Sequence, residues 1–175
     1  MVESISEALS YVWGSENQPP LLHLRDHQLR RKLWIDALCI NQDDDDETSA
    51  QIPLMRAIYV QANCVTVWLG ESIEDGGTAL KMIRRLALAE DQTQFGAENE
   101  IFQDELSSAR SQETKNDICL KLLQRAWFQR IWVLQEIGVA RCISIICGSV
   151  EMNGHVFFEG VSTFYKALFT QSFTL

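Results

Sequence analysis

The chain has 175 residues, 46% of them apolar and 22% charged, with 9 Gly and 3 Pro. That length suits one domain that buries a core without disulfide staples, and the apolar fraction excludes a disordered chain. Lys and Arg number 15 against 24 Asp and Glu, a net charge of −9. This argues against a general nucleic-acid binder, which needs clustered cations, but leaves room for a small anion in one local basic pocket.

In chain order, Ala8–Trp13 is a short aromatic-rich apolar run that stops at Gly14, Ser15, Asn17, Pro19 and Pro20, which predicts a strand and a turn. Leu21–Lys32 has no clear period and carries Arg25, Arg30, Arg31 and Lys32. Leu33–Ile40 is apolar except for Asp36, as expected of a strand buried on both faces of a parallel sheet. A run of acids, Asp43–Glu47, precedes apolar positions at Ile52, Met55, Ile58, Tyr59 and Ala62, the spacing of an amphipathic helix whose dipole favours acids at its start. Val65–Leu69, closed by Gly70, predicts a third strand, and Thr78–Glu90 a helix. Asp91–Thr114 is polar and reads as a long loop or insertion with one short helix. Ile118–Arg125 and Trp127–Ala140 predict two helices, Cys142–Cys147 a fourth strand ended by Gly148, and Gly154–Leu168 a last helix. Strands alternating with helices define an α/β class with a mostly parallel sheet.

No apolar run approaches the ~20 residues of a membrane span, and Met1–Ser10, with Glu3 and Glu7, lacks the layout of a secretory leader. The odd count of 5 Cys, without a Cys-x-x-Cys, fits a reducing, cytoplasmic compartment, and most of these Cys sit in apolar runs where they act as small core residues. Dinucleotide-binding glycine fingerprints, P-loops, nucleophile elbows and zinc-helix motifs are absent, and His23, His27 and His155 lie apart from any Cys pairing. The acid run Asp43–Glu47 lacks the central Gly of a calcium loop and reads as a solvated helix start, so no metal is expected.

Two acids stand out by position. Asp36 interrupts an apolar strand, so it must lie at the strand's end, be paired, or line a cleft. In open α/β sheets, ligands bind at the carboxyl ends of the strands. Glu136 lies four residues after Trp132, a spacing that puts an acid and an indole on one helix face, with Arg130 offset. The alternative is a helix-surface Glu paired with Arg130 or Lys121.

Three segments carry a family resemblance. Ala8-Leu9-Ser10-Tyr11-Val12-Trp13-Gly14 resembles the opening motif of the fungal heterokaryon-incompatibility (HET) domain. The run from Leu33 through Trp34, Asp36, Cys39 and Asn41 to Asp43 resembles its central signature, continued by Gln51, Met55, Ile58-Tyr59, Ala62 and Val67-Trp68-Leu69-Gly70. Trp127-Phe128-x-Arg130-x-Trp132-Val133-x-Gln135-Glu136 resembles its third motif. The resemblance assigns residues 6–154 to a HET domain and 155–175 to a C-terminal helix continuing or leaving it. One departure is clear: the segment between Gly14 and Leu33 is shortened, as if part of an N-terminal strand-helix unit were missing.

The family implies non-self recognition between fungal individuals that ends in regulated cell death. HET domains are also distantly similar to TIR domains, which implies a TIR- or flavodoxin-like sheet flanked by helices and, for some members, NAD cleavage by a helix-borne glutamate. On that resemblance Glu136 is the catalytic candidate. Asp36, Arg130, Trp132 and Trp13 are the substrate-binding candidates, NAD is a substrate rather than a cofactor, and self-association or other incompatibility and sensor proteins are the expected partners. The alternatives are a non-catalytic assembly module and an inactive, shortened copy.

Overall fold

The computed structural model describes residues 7–12, 32–71, 76–91 and 112–172. Residues 13–31, which hold Trp13 and nearly all of the shortened segment, and residues 92–111 of the polar stretch lie outside these described residues. Among the described residues five strands form one sheet: β1 (Glu7–Ser10), β2 (Leu33–Trp34), β3 (Cys64–Trp68), β4 (Ile143–Cys147) and β5 (Val150–Asn153). Their order is β2-β1-β3-β4-β5. The first four are parallel, with Ser10 beside Val67 and Val67 beside Ile145. β5 folds back antiparallel on β4. The fold is therefore α/β with a mostly parallel sheet flanked by helices, and the strand order is compatible with a flavodoxin-like description.

Six helices accompany the sheet among the described residues: α1 (Asp36–Cys39), α2 (Asp45–Gln61), α3 (Gly76–Asp91), α4 (Gln112–Leu123), α5 (Val133–Gly138) and α6 (Gly154–Ser172). A 3-10 turn spans Ala126–Gln129. The acid run does what helix electrostatics asks of it. Asp44 caps α2 by accepting from the backbone N–H of Asp46 and Glu47, each at 3.0 Å, and Asp45, Asp46 and Glu47 fill the first turn.

Strand alternation sorts the core. Ala8, Val65, Val67, Ile145 and Cys147 face the larger cluster with Tyr59, Leu80, Ile83, Leu122, Trp127 and Phe157. Leu9, Tyr11, Ile35 and Trp68 form a smaller cluster. α6 crosses α3 so closely at Gly160 that a Cβ there would lie 2.1 Å from the Ile83 carbonyl oxygen, so only glycine fits.

Two sequence expectations change, and one element is new. The strand expected over Leu33–Ile40 pairs only at Leu33 and Trp34, and Asp36 opens the short helix α1 instead of sitting inside a strand. Ile35 and Ile40 anchor this turn in the core while Ala37, Leu38 and Cys39 face solvent, a pattern that an unbroken apolar run conceals. The helix expected over Trp127–Ala140 breaks at Arg130, whose backbone is extended (φ −85°, ψ 124°), leaving the 3-10 turn before it and α5 after it. The new element is the hairpin strand β5, turned by Gly148 at φ +55°. The cysteines also divide: Cys119 and Cys147 are core residues, whereas Cys39 and Cys142 are exposed.

Candidate functional site

The carboxyl end of β1 carries Ser10, a hydroxyl at a buried position beside the buried apolar Ala8 and Leu9. A lone hydroxyl there needs partners, and the break at Arg130 supplies them. The buried Trp127 donates its indole N–H to Ser10 Oγ at 2.8 Å. Because an indole only donates, the Ser10 hydroxyl is left to donate onward, and it does so to Glu136 Oε2. The other carboxylate oxygen, Oε1, meets Arg130 Nη2 at 3.3 Å. Arg130 also donates from Nη1 to the carbonyl of Tyr11, the residue after Ser10. The extended backbone at Arg130 thus aims its guanidinium back across the start of α5 at the end of β1.

Glu136 is only 3% exposed. Burial pushes its carboxyl above the ordinary range, against the Ser10 hydrogen bond and the Arg130 charge, which pull it down; nearby Asp36 adds a smaller upward push. Asp36 lies at the start of α1, just past the end of β2, with its own Oδ1 accepting from the Ala37 N–H at 2.8 Å. The Tyr11 phenol is raised first by burial and then by the charge of Asp36 and a hydrogen bond to it. Burial raises the Tyr59 phenol too, with Glu136 and then Asp36 adding to it. Tyr59 donates to the Leu9 carbonyl at 3.2 Å and meets Trp34 edge-on at 5.7 Å. Two carboxylates, one guanidinium and two phenols therefore share the edge formed by the ends of β1 and β2.

Of the residues singled out in the sequence, Glu136, Arg130 and Asp36 come together here. Trp132 holds the residue position just before α5, and its carbonyl accepts from the Glu136 N–H at 3.1 Å. Its side chain is 50% exposed, so the acid and the indole share a helical turn but differ sharply in burial. Trp13 lies outside the described residues. Ser10, Tyr11, Tyr59 and Trp127 were missed as site residues. The available signal was Ser10 itself, a polar residue amid Ala8, Leu9, Tyr11 and Val12.

Chemically, the arrangement holds a desolvated carboxylate whose two oxygens already accept, beside a cation that is 24% exposed in its side chain. It can stabilise developing positive charge in a water-poor setting and bind an anionic group at the guanidinium. No group of three or more metal-ligating side chains occurs among the described residues. No described helix is long and apolar enough to cross a membrane.

The fold and this edge define an α/β domain with a buried acid–arginine pair at the carboxyl end of a parallel sheet. The heterokaryon incompatibility protein (HET) family matches residues 19–136, most of the chain, and the chain belongs to that family. It is 28% identical over 197 aligned positions to Heterokaryon incompatibility protein 6, OR allele, of Neurospora crassa, a match covering 81% of this chain and 28% of that protein. The chain thus spans well under half the length of this curated relative. No solved structure matches.

Proposed function

We propose that this chain is a cytoplasmic heterokaryon-incompatibility module that takes part in non-self recognition and triggers cell death, and that its chemistry is cleavage of the nicotinamide–ribose bond of NAD. Family membership supports the first half. One observation carries the second: a carboxylate 3% exposed at the carboxyl end of a parallel sheet, with a guanidinium and a second acid beside it. The bond breaks heterolytically. Its electron pair leaves with nicotinamide, which departs neutral and needs no general acid, and the ribose becomes oxocarbenium-like. Glu136 stabilises that positive charge, and water adds to the ribose carbon, releasing a proton. Arg130 takes a phosphate, Asp36 a ribose hydroxyl, and Trp132 or Trp13 stacks on a ring. Substrate entry requires Arg130 to leave Glu136 Oε1.

The test is NAD loss and nicotinamide release by the purified chain, dilute and concentrated, beside Glu136→Gln. The parent should consume NAD and the variant should not, while both melt cooperatively. Equal consumption by the variant overturns the reading.

A second reading, assembly without catalysis, is favoured by Ile131 and Leu134, which are 76% and 69% exposed. They border an apolar hollow of about 460 Å³ that also touches Phe128 and Phe158. Under this reading self-association or a sensor protein is the partner. Toxicity that survives Glu136→Gln but is lost in Ile131→Ser with Leu134→Ser would establish it.

A further inference from the structure

At the amino ends of β3 and β4, Cys64 and Cys142 bring their sulfurs to 3.0 Å. The approach follows from the register. Val65 lies beside Ile143, and the Val65 N–H donates to the Cys142 carbonyl at 2.8 Å, so one step back along both chains sets the two cysteines side by side. Adjacent strands run about 4.8 Å apart, within the Cα separations that disulfides span. Both side chains leave the sheet on the face of Thr66 and Ser144, away from the larger core cluster. Cys142 is exposed and Cys64 half-buried, and the Cys64 thiol donates to the Cys142 sulfur. Burial pushes the Cys64 thiol up to about 12, helped by Cys142, Glu7 and Glu151, so it stays protonated and keeps donating.

We propose that Cys64 and Cys142 form a redox modification site, a paired dithiol that hydrogen peroxide converts to an intrachain disulfide. The exposed Cys142 sulfur attacks the peroxide O–O bond, forming a sulfenic acid and releasing one water. Cys64 then attacks that sulfur, forming the S–S bond and expelling the hydroxyl as a second water with the Cys64 proton. Peroxide is reduced by two electrons and the two thiols are oxidised by two. In a reducing compartment the pair rests as thiols, so the bond records an oxidative episode and is undone by thiol exchange. The new link closes a loop between residues 78 apart in sequence. That loop holds Trp127, Arg130 and Glu136, so oxidation restrains the segment that brings these three side chains to the edge at the sheet's other end.

The exposed Cys39 has no such neighbour and serves as an internal control. The full chain is treated with about one equivalent of hydrogen peroxide, then alkylated, digested and weighed. The expected product is a peptide pair joined through Cys64 and Cys142, lighter by two hydrogens, reversed by dithiothreitol, and accompanied by a rise of several degrees in thermal midpoint. In Cys64→Ser, Cys142 has no resolving partner and should be trapped as a sulfenic acid. The proposal is overturned if the wild-type chain yields Cys142 as an unlinked sulfenic or sulfinic acid with Cys64 still alkylatable. It is equally overturned if the disulfides recovered run through Cys39.

Discussion

At their carboxyl ends, β1 and its neighbours carry a closed polar chain in which Trp127 donates to Ser10, Ser10 to Glu136, and Arg130 to both Glu136 and the Tyr11 carbonyl. At their amino ends, β3 and β4 carry two thiols, one exposed, that have chiefly each other. The sheet is the same, but the packing at its two ends is not. The 3-10 turn and α5 lie at the carboxyl end, where Ser10, Trp127 and Glu136 are buried and must find partners within the protein. At the amino end Cys142 is exposed, and water satisfies polar groups on its side of the pair. Loss of a partner should therefore be costly at one end and nearly free at the other.

The largest test of this contrast is Trp127→Ala against Cys142→Ser. Trp127 is 1% exposed and lies edge-on to Phe128 at 4.9 Å, so truncation opens a large cavity and strips Ser10 of its donor. Urea denaturation should show a loss of about 4 kcal/mol. The exposed Cys142→Ser should stay within about 0.5 kcal/mol. Comparable losses at the two positions would break the comparison. Next in size is Arg130→Ala, which leaves the Glu136 carboxylate buried beside Asp36 without its cation. A loss of about 3 kcal/mol is expected, at the low end for such pairs because Arg130 is partly solvated. Adding Glu136→Gln to Arg130→Ala should restore part of that stability, since the stranded charge is then gone. Simple additivity of the two changes would show that the pair is not energetically coupled.

Much of the sheet could be read from composition alone. Val65–Leu69 and Cys142–Cys147 are β-branched, apolar and bounded by Gly70 and Gly148, and both form strands close to those limits. Leu33–Ile40 could not be settled, because a core-anchored turn and a buried strand place apolar residues at overlapping positions. Its one irregular residue, Asp36, is the better guide: the cost of an unpaired carboxylate requires a strand end, a partner or a cleft, and it begins α1 at the end of β2. The segment after Trp127 has helical spacing throughout, and nothing local signals the extended backbone at Arg130. That break depends on a distant acceptor, the Tyr11 carbonyl, 119 residues earlier. The polar chain was legible only in fragments for the same reason. Ser10 and Glu136 lie 126 residues apart, and each looks ordinary until the other is in view.

The smallest effect concerns pH and turns on Glu136 alone. In the unfolded chain its carboxyl titrates near the ordinary 4.5, and burial raises that value in the fold despite Ser10 and Arg130. Between the two values the native state holds more protons than the unfolded state. The contribution to stability is thus fully present below the unfolded value, shrinks as pH rises through the window, and stays lost above the folded value. Glu136→Gln keeps an oxygen for Ser10 or Arg130 and has no proton to lose. Its stability relative to the parent should therefore grow from acidic pH toward neutrality and then level off, as read from urea midpoints at a series of pH values. A parent that instead gains stability against Glu136→Gln with rising pH would mean that the hydrogen bond from Ser10 and the charge of Arg130 outweigh desolvation. The carboxyl end would then be a site that favours the ionised acid, and the contrast with the water-satisfied amino end would rest on packing rather than on the cost of buried charge.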